Sequence, residues 1–208
     1  MAALRGCYLP AYAGDAAREL RRRGFGFVMR CYSHDPARSL GRAEVLRLTA
    51  AGLRVGACWA SDGGVLTRRQ GVLDGTAVLA LARAAGQPPG STVYVGLDLD
   101  LSPGMGLDEP FAAWLRGMRA ALGGRAGYRV GVRGDAAQVG RMRDRRLAAC
   151  IWAGALTGAS RPDLLEWQAV TVGVRGDGRE IVPLIAGMGC EPGLFGVDER
   201  SAAIVRPR

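Results

Sequence analysis

The feature that most constrains the fold of this chain is a regular alternation of apolar runs with helical stretches between Leu4 and Arg143. Each of five apolar runs precedes a stretch whose apolar residues recur every three or four positions, the spacing of an amphipathic helix. Gly24, Gly52 and Gly86 follow three of these stretches, and glycine commonly ends a helix. This alternation predicts a parallel sheet covered by helices and joined by right-handed crossovers.

After Arg143 the intervals between apolar runs become glycine-rich and lack a helical stripe. The predicted helices are Asp15–Arg23, Leu40–Ala51, Leu73–Ala85, Glu109–Leu122 and Asp135–Arg143. The predicted strands are Leu4–Leu9, Phe25–Tyr32, Arg54–Trp59, Thr92–Asp100, Tyr128–Arg133, Ala149–Ala153, Leu164–Val170 and Glu180–Ala186.

Five βα units and three further strands give eight strands, the number in a closed α/β barrel. We therefore predict an α/β, TIM-like barrel with five βα units followed by three strands lacking full helices, as a single domain over residues 1–208. The missing helices explain how a chain shorter than the usual ~250 residues could close. The alternative is an open flavodoxin-like sheet, which would need helices between the last strands.

The composition, with 49% hydrophobic and 23% charged residues, is that of an ordinary globular domain. No run approaches the ~20 apolar residues of a membrane span. The first ten residues do not resemble a signal peptide, so we expect synthesis in the cytoplasm. Delivery to a cell wall would then need lysis, a phage tail or a secretion machine, and the alternative is a role in the cytoplasm.

The formal net charge is +9, and every basic side chain is arginine, because the chain contains no lysine. Such an excess favours acidic partners, either nucleic acid or an anionic cell wall. The arginines are scattered or in short clusters without interleaved aromatics, so nucleic acid is the weaker hypothesis.

Five cysteines occur without any CxxC spacing, and the chain has one histidine, His34. These numbers argue against a Cys/His zinc site. We expect reduced thiols, because four of the cysteines lie in apolar strand-like runs where cysteine acts as a small hydrophobe. No metal or organic cofactor is implied.

The predicted fourth strand ends in two carboxylates, Asp98 and Asp100. Residues two apart on a strand point to the same face, so these carboxyl groups would lie about 6–7 Å apart. Neighbouring acids raise each other's proton affinity, which suits general acid–base catalysis or metal binding. The alternative is a strand that ends in polar residues and caps the next turn.

Aromatic residues recur at the predicted strand ends: Tyr8, Tyr32, Trp59 and Trp152. In a barrel, the carboxyl ends of the strands form the mouth where active sites are built. Rings around two carboxylates suit a sugar-binding cleft. The alternative is rim packing, in which the polar tip of each ring reaches water.

These motifs together resemble the glycoside-hydrolase-like domain of unknown function 1906 family, which is similar to the family 25 lysozymes. The resemblance covers roughly residues 6–185, and order and spacing carry it. The matching stretches are Gly71-x-x-Asp74, Gly86-x-Pro88, Val93-Tyr94, Asp98-x-Asp100, Phe27–Tyr32, Ala51–Leu53, Tyr128–Val132 and Trp167-Gln168.

The resemblance implies a barrel that acts on peptidoglycan or a related cell-wall polysaccharide, with Asp98 and Asp100 as catalytic candidates. One would protonate the glycosidic oxygen, and the other would act as base, nucleophile or stabiliser. Arg30 and Gln168, in matching stretches, join the four aromatics as candidate substrate-binding residues.

The chain also departs from the family pattern. Tyr8-Leu9 occupies the end of strand one, where relatives carry an acid, and Ile181–Leu184 has no Asp. Asp62 or Glu166 would be the substitutes. These departures favour the alternative of a catalytically degenerate barrel that serves as a carbohydrate-binding or structural module.

Overall fold

The secondary structure alternates strands and helices over the first two thirds of the chain. A computed structural model describes residues 4–60, 65–96, 108–134, 136–153, 164–166, 170–172, 179–186 and 192–196. The strands are β1 Arg5–Tyr8, β2 Phe27–Tyr32, β3 Arg54–Ala60, β4 Thr92–Gly96, β5 Arg129–Gly134, β6 Cys150–Ala153, β7 Leu164–Glu166, β8 Val170–Val172 and β9 Arg179–Ala186. The helices are α1 Ala17–Arg22, α2 Arg42–Ala50, α3 Arg68–Ala85, α4 Asp108–Leu122 and α5 Ala136–Asp144, with short 3-10 helices at Gly14–Ala16 and Gly124–Ala126.

Strands β1 to β7 pair in sequence order, and every pairing among them is parallel. Strand β9 is antiparallel to both β7 and β1, so the hydrogen-bonded pairing returns to its starting strand. Strand β8 pairs with β9 alone among the described strands. This α/β arrangement is consistent with a TIM-like barrel, and the pairing of β9 with β1 is not that of an open flavodoxin-like sheet.

The five helices and the other eight strands correspond to predicted elements, with ends that differ by a few residues, whereas β8 is a strand that the sequence did not predict. The largest difference is in α3, which begins at Arg68 and not at Leu73, because the Thr67 side chain caps it by accepting from the Gln70 amide at 3.1 Å. Residues 154–163, 167–169 and 173–178 lie outside the described residues. The count of five βα units followed by three helix-free strands therefore stays a prediction.

The strands carry different residues on their two faces. On β2, Phe27, Met29 and Cys31 contribute to an inner cluster that also contains Tyr94 and Trp152. Val28 and Tyr32, on the other face, contribute to a larger outer cluster between the sheet and the helices. Because the side chains of a strand alternate between faces, the position of a residue in its strand decides which layer it enters.

Helices α3 and α4 pack closely because glycines face the contact. A Cβ at Gly71 or Gly117 would overlap the backbone of the opposite helix. Beside Gly71, the Asp74 carboxylate accepts a 2.7 Å hydrogen bond from Trp114 Nε1. The Gly71-x-x-Asp74 motif therefore has a packing role. None of the helices in the described ranges has the length and apolar character required to cross a membrane.

The segment 192–196 lies against the amino ends of β3 and β4. Val55 and Phe195 exchange backbone hydrogen bonds of 2.7 and 2.8 Å, and the Thr92 amide donates to Gly193 O at 3.1 Å. Tyr94 Oη donates to Pro192 O at 3.0 Å. These contacts anchor the segment at the amino end of the sheet, opposite the strand ends at which barrel sites are built.

Candidate functional site

Three side chains from distant parts of the sequence meet at the carboxyl ends of the strands. The guanidinium carbon of Arg133 lies 5.0 Å from the ring centre of Tyr8 and 4.6 Å from that of Trp152. The two rings meet edge to face, with centres 5.5 Å apart. We call Tyr8, Arg133 and Trp152 the mouth cluster. Guanidinium groups bind the electron-rich faces of aromatic rings at such distances.

Strand register explains why these residues converge. Arg133 on β5 is the register partner of Trp152 on β6, near the carboxyl ends of both strands. Gly96, the last residue of β4, leaves room on the other side, since a Cβ there would lie 2.8 Å from Arg133 O. A residue larger than glycine at position 96 would therefore displace the strand that carries the guanidinium.

The members of the mouth cluster differ in exposure. Trp152 is fully buried, whereas Tyr8 and Arg133 are partly exposed. The Trp152 Nε1 group has no hydrogen-bond partner among the described residues, and an unsatisfied buried donor is costly. The cluster thus has a buried aromatic floor, and a partly exposed ring and a cation lie over it. It can bind a sugar face or an anionic group.

Below the cluster, a disulfide joins Cys31 and Cys58, which are register partners on β2 and β3 with Cα atoms 4.5 Å apart. The expectation of reduced thiols is therefore wrong for this pair. Tyr8 Oη lies 3.4 Å from Cys31 Sγ. Cys7 and Cys150 are free and buried, and burial raises the pKa of the Cys7 thiol to about 12.

The carboxylates predicted for catalysis, Asp98 and Asp100, lie outside the described residues, as do Gln168 and Asp62. Glu166 lies in β7, where Leu184 of β9 is its register partner. Within the described part of the chain, no three His, Cys, Asp or Glu side chains stand close enough together to hold a metal ion.

Arg30 does not face the mouth, and its predicted placement beside the substrate requires correction. Its side chain is fully buried and contacts α2 through Glu44, with Nε 2.7 Å from Oε1 and Nη2 3.3 Å from Oε2. It also donates to the carbonyls of Leu9 and Arg38 at 3.0 and 3.1 Å. The bonds to Glu44 attach α2 to the sheet, and together these bonds occupy the guanidinium group.

Tyr32 and Trp59 also require this correction, because both belong to the outer cluster. Tyr32 Oη donates to Gln87 Oε1 at 2.7 Å, and burial raises the pKa of its phenol well above the usual range. Trp59 is 3% exposed and lies edge to face with His34, their ring centres 4.9 Å apart. Of the four aromatics predicted to share a cleft, only Tyr8 and Trp152 come together.

Arg133 is the site residue that sequence reasoning missed. It ends an apolar run in which Gly131 and Arg133 share one face, and Val130 and Val132 belong to the outer cluster. This alternation was a usable signal, since an inward charge at the carboxyl end of a barrel strand is typical of a site.

Comparison with solved structures supports the fold. The Mycobacterium tuberculosis Tat-secreted protein Rv2525c in complex with L-tartrate is similar, with a TM-score of 0.72, 18% identity, and coverage of 92% of this chain and 98% of that one. The Clostridium perfringens spore cortex lytic enzyme SleM gives a TM-score of 0.66 at 10% identity, with 88% of this chain and 67% of that one covered. A family 25 glycosyl hydrolase from Bacillus anthracis gives a TM-score of 0.56 at 15% identity, with 90% of both chains covered.

The sequence comparisons are more specific about family. No curated protein sequence matches this chain. A family model described as "Rv2525c-like, glycoside hydrolase-like domain" matches residues 18–173, three quarters of the chain. The match includes β2 to β6, and with them Arg133 and Trp152. The chain therefore belongs to the Rv2525c-like glycoside hydrolase-like domain family.

Proposed function

We propose that this protein is a lysozyme-like glycosidase that cleaves peptidoglycan or a related bacterial cell-wall polysaccharide at the mouth of the barrel. The observation that carries the proposal is the mouth cluster, a guanidinium held against two aromatic rings at the carboxyl ends of the strands. Family membership supports it, and so do similar folds whose names include a spore cortex lytic enzyme and a glycosyl hydrolase.

In this proposal the catalytic groups are Asp98 and Asp100. Thr92, Tyr94 and Gly96 all lie on the inner face of β4. In the sequence, both aspartates continue this spacing of every second residue. One carboxyl protonates the leaving oxygen, and the other stabilises or attacks the oxocarbenium-like centre. Tyr8 and Arg133 contact the glycan, and Trp152 supports them from below.

The alternative function is a catalytically inactive, carbohydrate-binding module. The ends of β1 and β9 favour it, because Tyr8 and its register partner Val182 occupy positions where the resemblance implies acids. Such a mouth would retain ring and cation contacts to a glycan without the full acidic set.

The first experiment measures the release of dye or reducing ends from purified peptidoglycan by the wild type, Asp98→Asn and Asp100→Asn. We expect each variant to lose activity by about 10²–10⁴-fold, because each removes a general acid or base. Asp144→Asn, which changes an exposed acid at the end of α5, is the matched control and should keep full activity. Thermal melting of all four proteins shows whether they are folded.

Two outcomes would contradict the proposal. A folded wild type without turnover on any wall preparation, but with saturable binding to it, would identify the binding module. Unchanged activity in both aspartate variants would mean that the chemistry lies elsewhere, with Glu166 and Asp62 tested next.

A further inference from the structure

A second site candidate lies at the other end of the sheet. A cleft of about 580 Å³ opens beside the first residues of β5 and the residues that precede β6. Helix α4 forms one wall and the end of α5 the other. Five of its twelve lining residues are arginines, which define what we call the arginine cleft: Arg116, Arg119, Arg129, Arg143 and Arg146.

None of the described residues that line the arginine cleft is Asp or Glu. The acids of α4 lie in its first turn, and they pair with arginines outside the cleft: Asp108 with Arg141 at 2.8 Å, and Glu109 with Arg145 at 2.6 Å. Glu109 also approaches Arg116, at 3.9 Å. Arg116, Arg119 and Arg146 thus line one concavity that has no acidic residue among its described lining residues.

The walls of the cleft are joined to each other. Arg119 Nη1 donates to the carbonyl of Arg146, which connects α4 to the turn after α5. Arg146 has a φ of 56°, a backbone conformation that side-chain-bearing residues rarely adopt. This hydrogen bond holds the turn after α5 against α4, so the two walls of the cleft keep a fixed relation to each other.

We propose that the arginine cleft binds an anion that carries several phosphate groups. The planar guanidinium fork matches the geometry of phosphate oxygens and forms paired, charge-assisted hydrogen bonds with them. The volume of the cleft, with Arg116, Arg119 and Arg146 along its walls, exceeds what one phosphate would need. The cleft lies at the amino ends of the strands, so this proposal is independent of the glycan site at the mouth.

The test is titration calorimetry of the full chain with inorganic tripolyphosphate and with orthophosphate, at low and at physiological salt. We expect saturable, 1:1 binding of tripolyphosphate, at least tenfold tighter than orthophosphate and weakened by salt. The double variant Arg116→Gln/Arg146→Gln should weaken tripolyphosphate binding at least tenfold. Both positions are exposed, so the fold should tolerate the change, which a melting curve checks.

The control is Arg68→Gln/Arg69→Gln, which removes the same charge from two exposed positions on α3. It should change the affinity less than twofold. An equal loss in both double variants would overturn the proposal in favour of general charge attraction. Equal affinity for the two phosphates, or no saturable binding at low salt, would also overturn it.

Discussion

Polar side chains on the outer layer of this barrel and at its mouth are used differently. In the outer layer, Arg30 donates to Glu44 and to two backbone carbonyls, and Tyr32 donates to Gln87. Gln87 in turn donates to Ser91 Oγ and to Thr92 O. At the mouth, Arg133 lies against ring faces, and the Tyr8 hydroxyl contacts a sulfur.

The difference distinguishes polar side chains that stabilise the fold from polar side chains that a ligand can contact. A buried polar group that has strong partners on every side fixes the packing and has little capacity left for a ligand. Tyr8 and Arg133 at the mouth are partly exposed, so a ligand can reach them. Trp59 is the exception in the outer layer, because its buried Nε1 has no hydrogen-bond partner among the described residues.

The largest effect should come from the outer layer. Glu44→Gln leaves the fully buried Arg30 guanidinium without its counter-charge, so we expect the free energy of unfolding to fall by about 3–5 kcal/mol. Urea unfolding measures it. Asp15→Asn is the matched control: its ion pair with Arg47 is well exposed and should contribute less than about 1 kcal/mol. Similar losses in both variants would remove the contrast between buried and exposed pairs.

The second prediction concerns the mouth. Arg133→Met keeps the apolar stem and removes the charge, so binding to soluble wall fragments should weaken about tenfold, the loss of one charge-assisted contact. We expect the stability to change by less than about 1.5 kcal/mol, because stacking on rings contributes modestly. Arg18→Met, an exposed position on α1, should bind as the wild type does. Wild-type binding by Arg133→Met would exclude Arg133 from the glycan site.

The smallest effect is expected when tyrosine is replaced by phenylalanine, once in the outer layer and once at the mouth. Tyr32→Phe leaves Gln87 Oε1 without this donor, and we expect about 1–2 kcal/mol of lost stability with unchanged wall binding. Tyr8→Phe should cost less than about 0.5 kcal/mol, because Tyr8 is partly exposed and water can hydrogen-bond to the groups that its hydroxyl contacts. Urea unfolding of both variants measures the difference. Equal losses would mean that the two hydroxyls contribute alike and that the contrast is wrong.

Sequence reasoning predicted the strand–helix order well, because each helix carries its own apolar spacing and its own end signals. Gly86, for example, ends α3 in the left-handed conformation at φ 79°. Sequence reasoning could not assign each aromatic residue to the correct face of the sheet. Tyr8 and Tyr32 both end strands, yet one lies on the inner face and the other on the outer. The aromatic pattern alone does not tell which residues of each strand face inward.

The sequence by itself determined the α/β class and the family, since local periodicity and the order of motifs do not depend on long-range contacts. The tertiary structure decided which polar residues are available to a ligand. Arg30 and Arg133 both lie in apolar strands, but α2 brings Glu44 to the first, and β1 and β6 bring rings to the second. The tertiary structure also places the arginines of α4 and of the turn after α5 around one cleft. Contacts between residues so distant in sequence arise only when the strands close on one another, so no local pattern contains them.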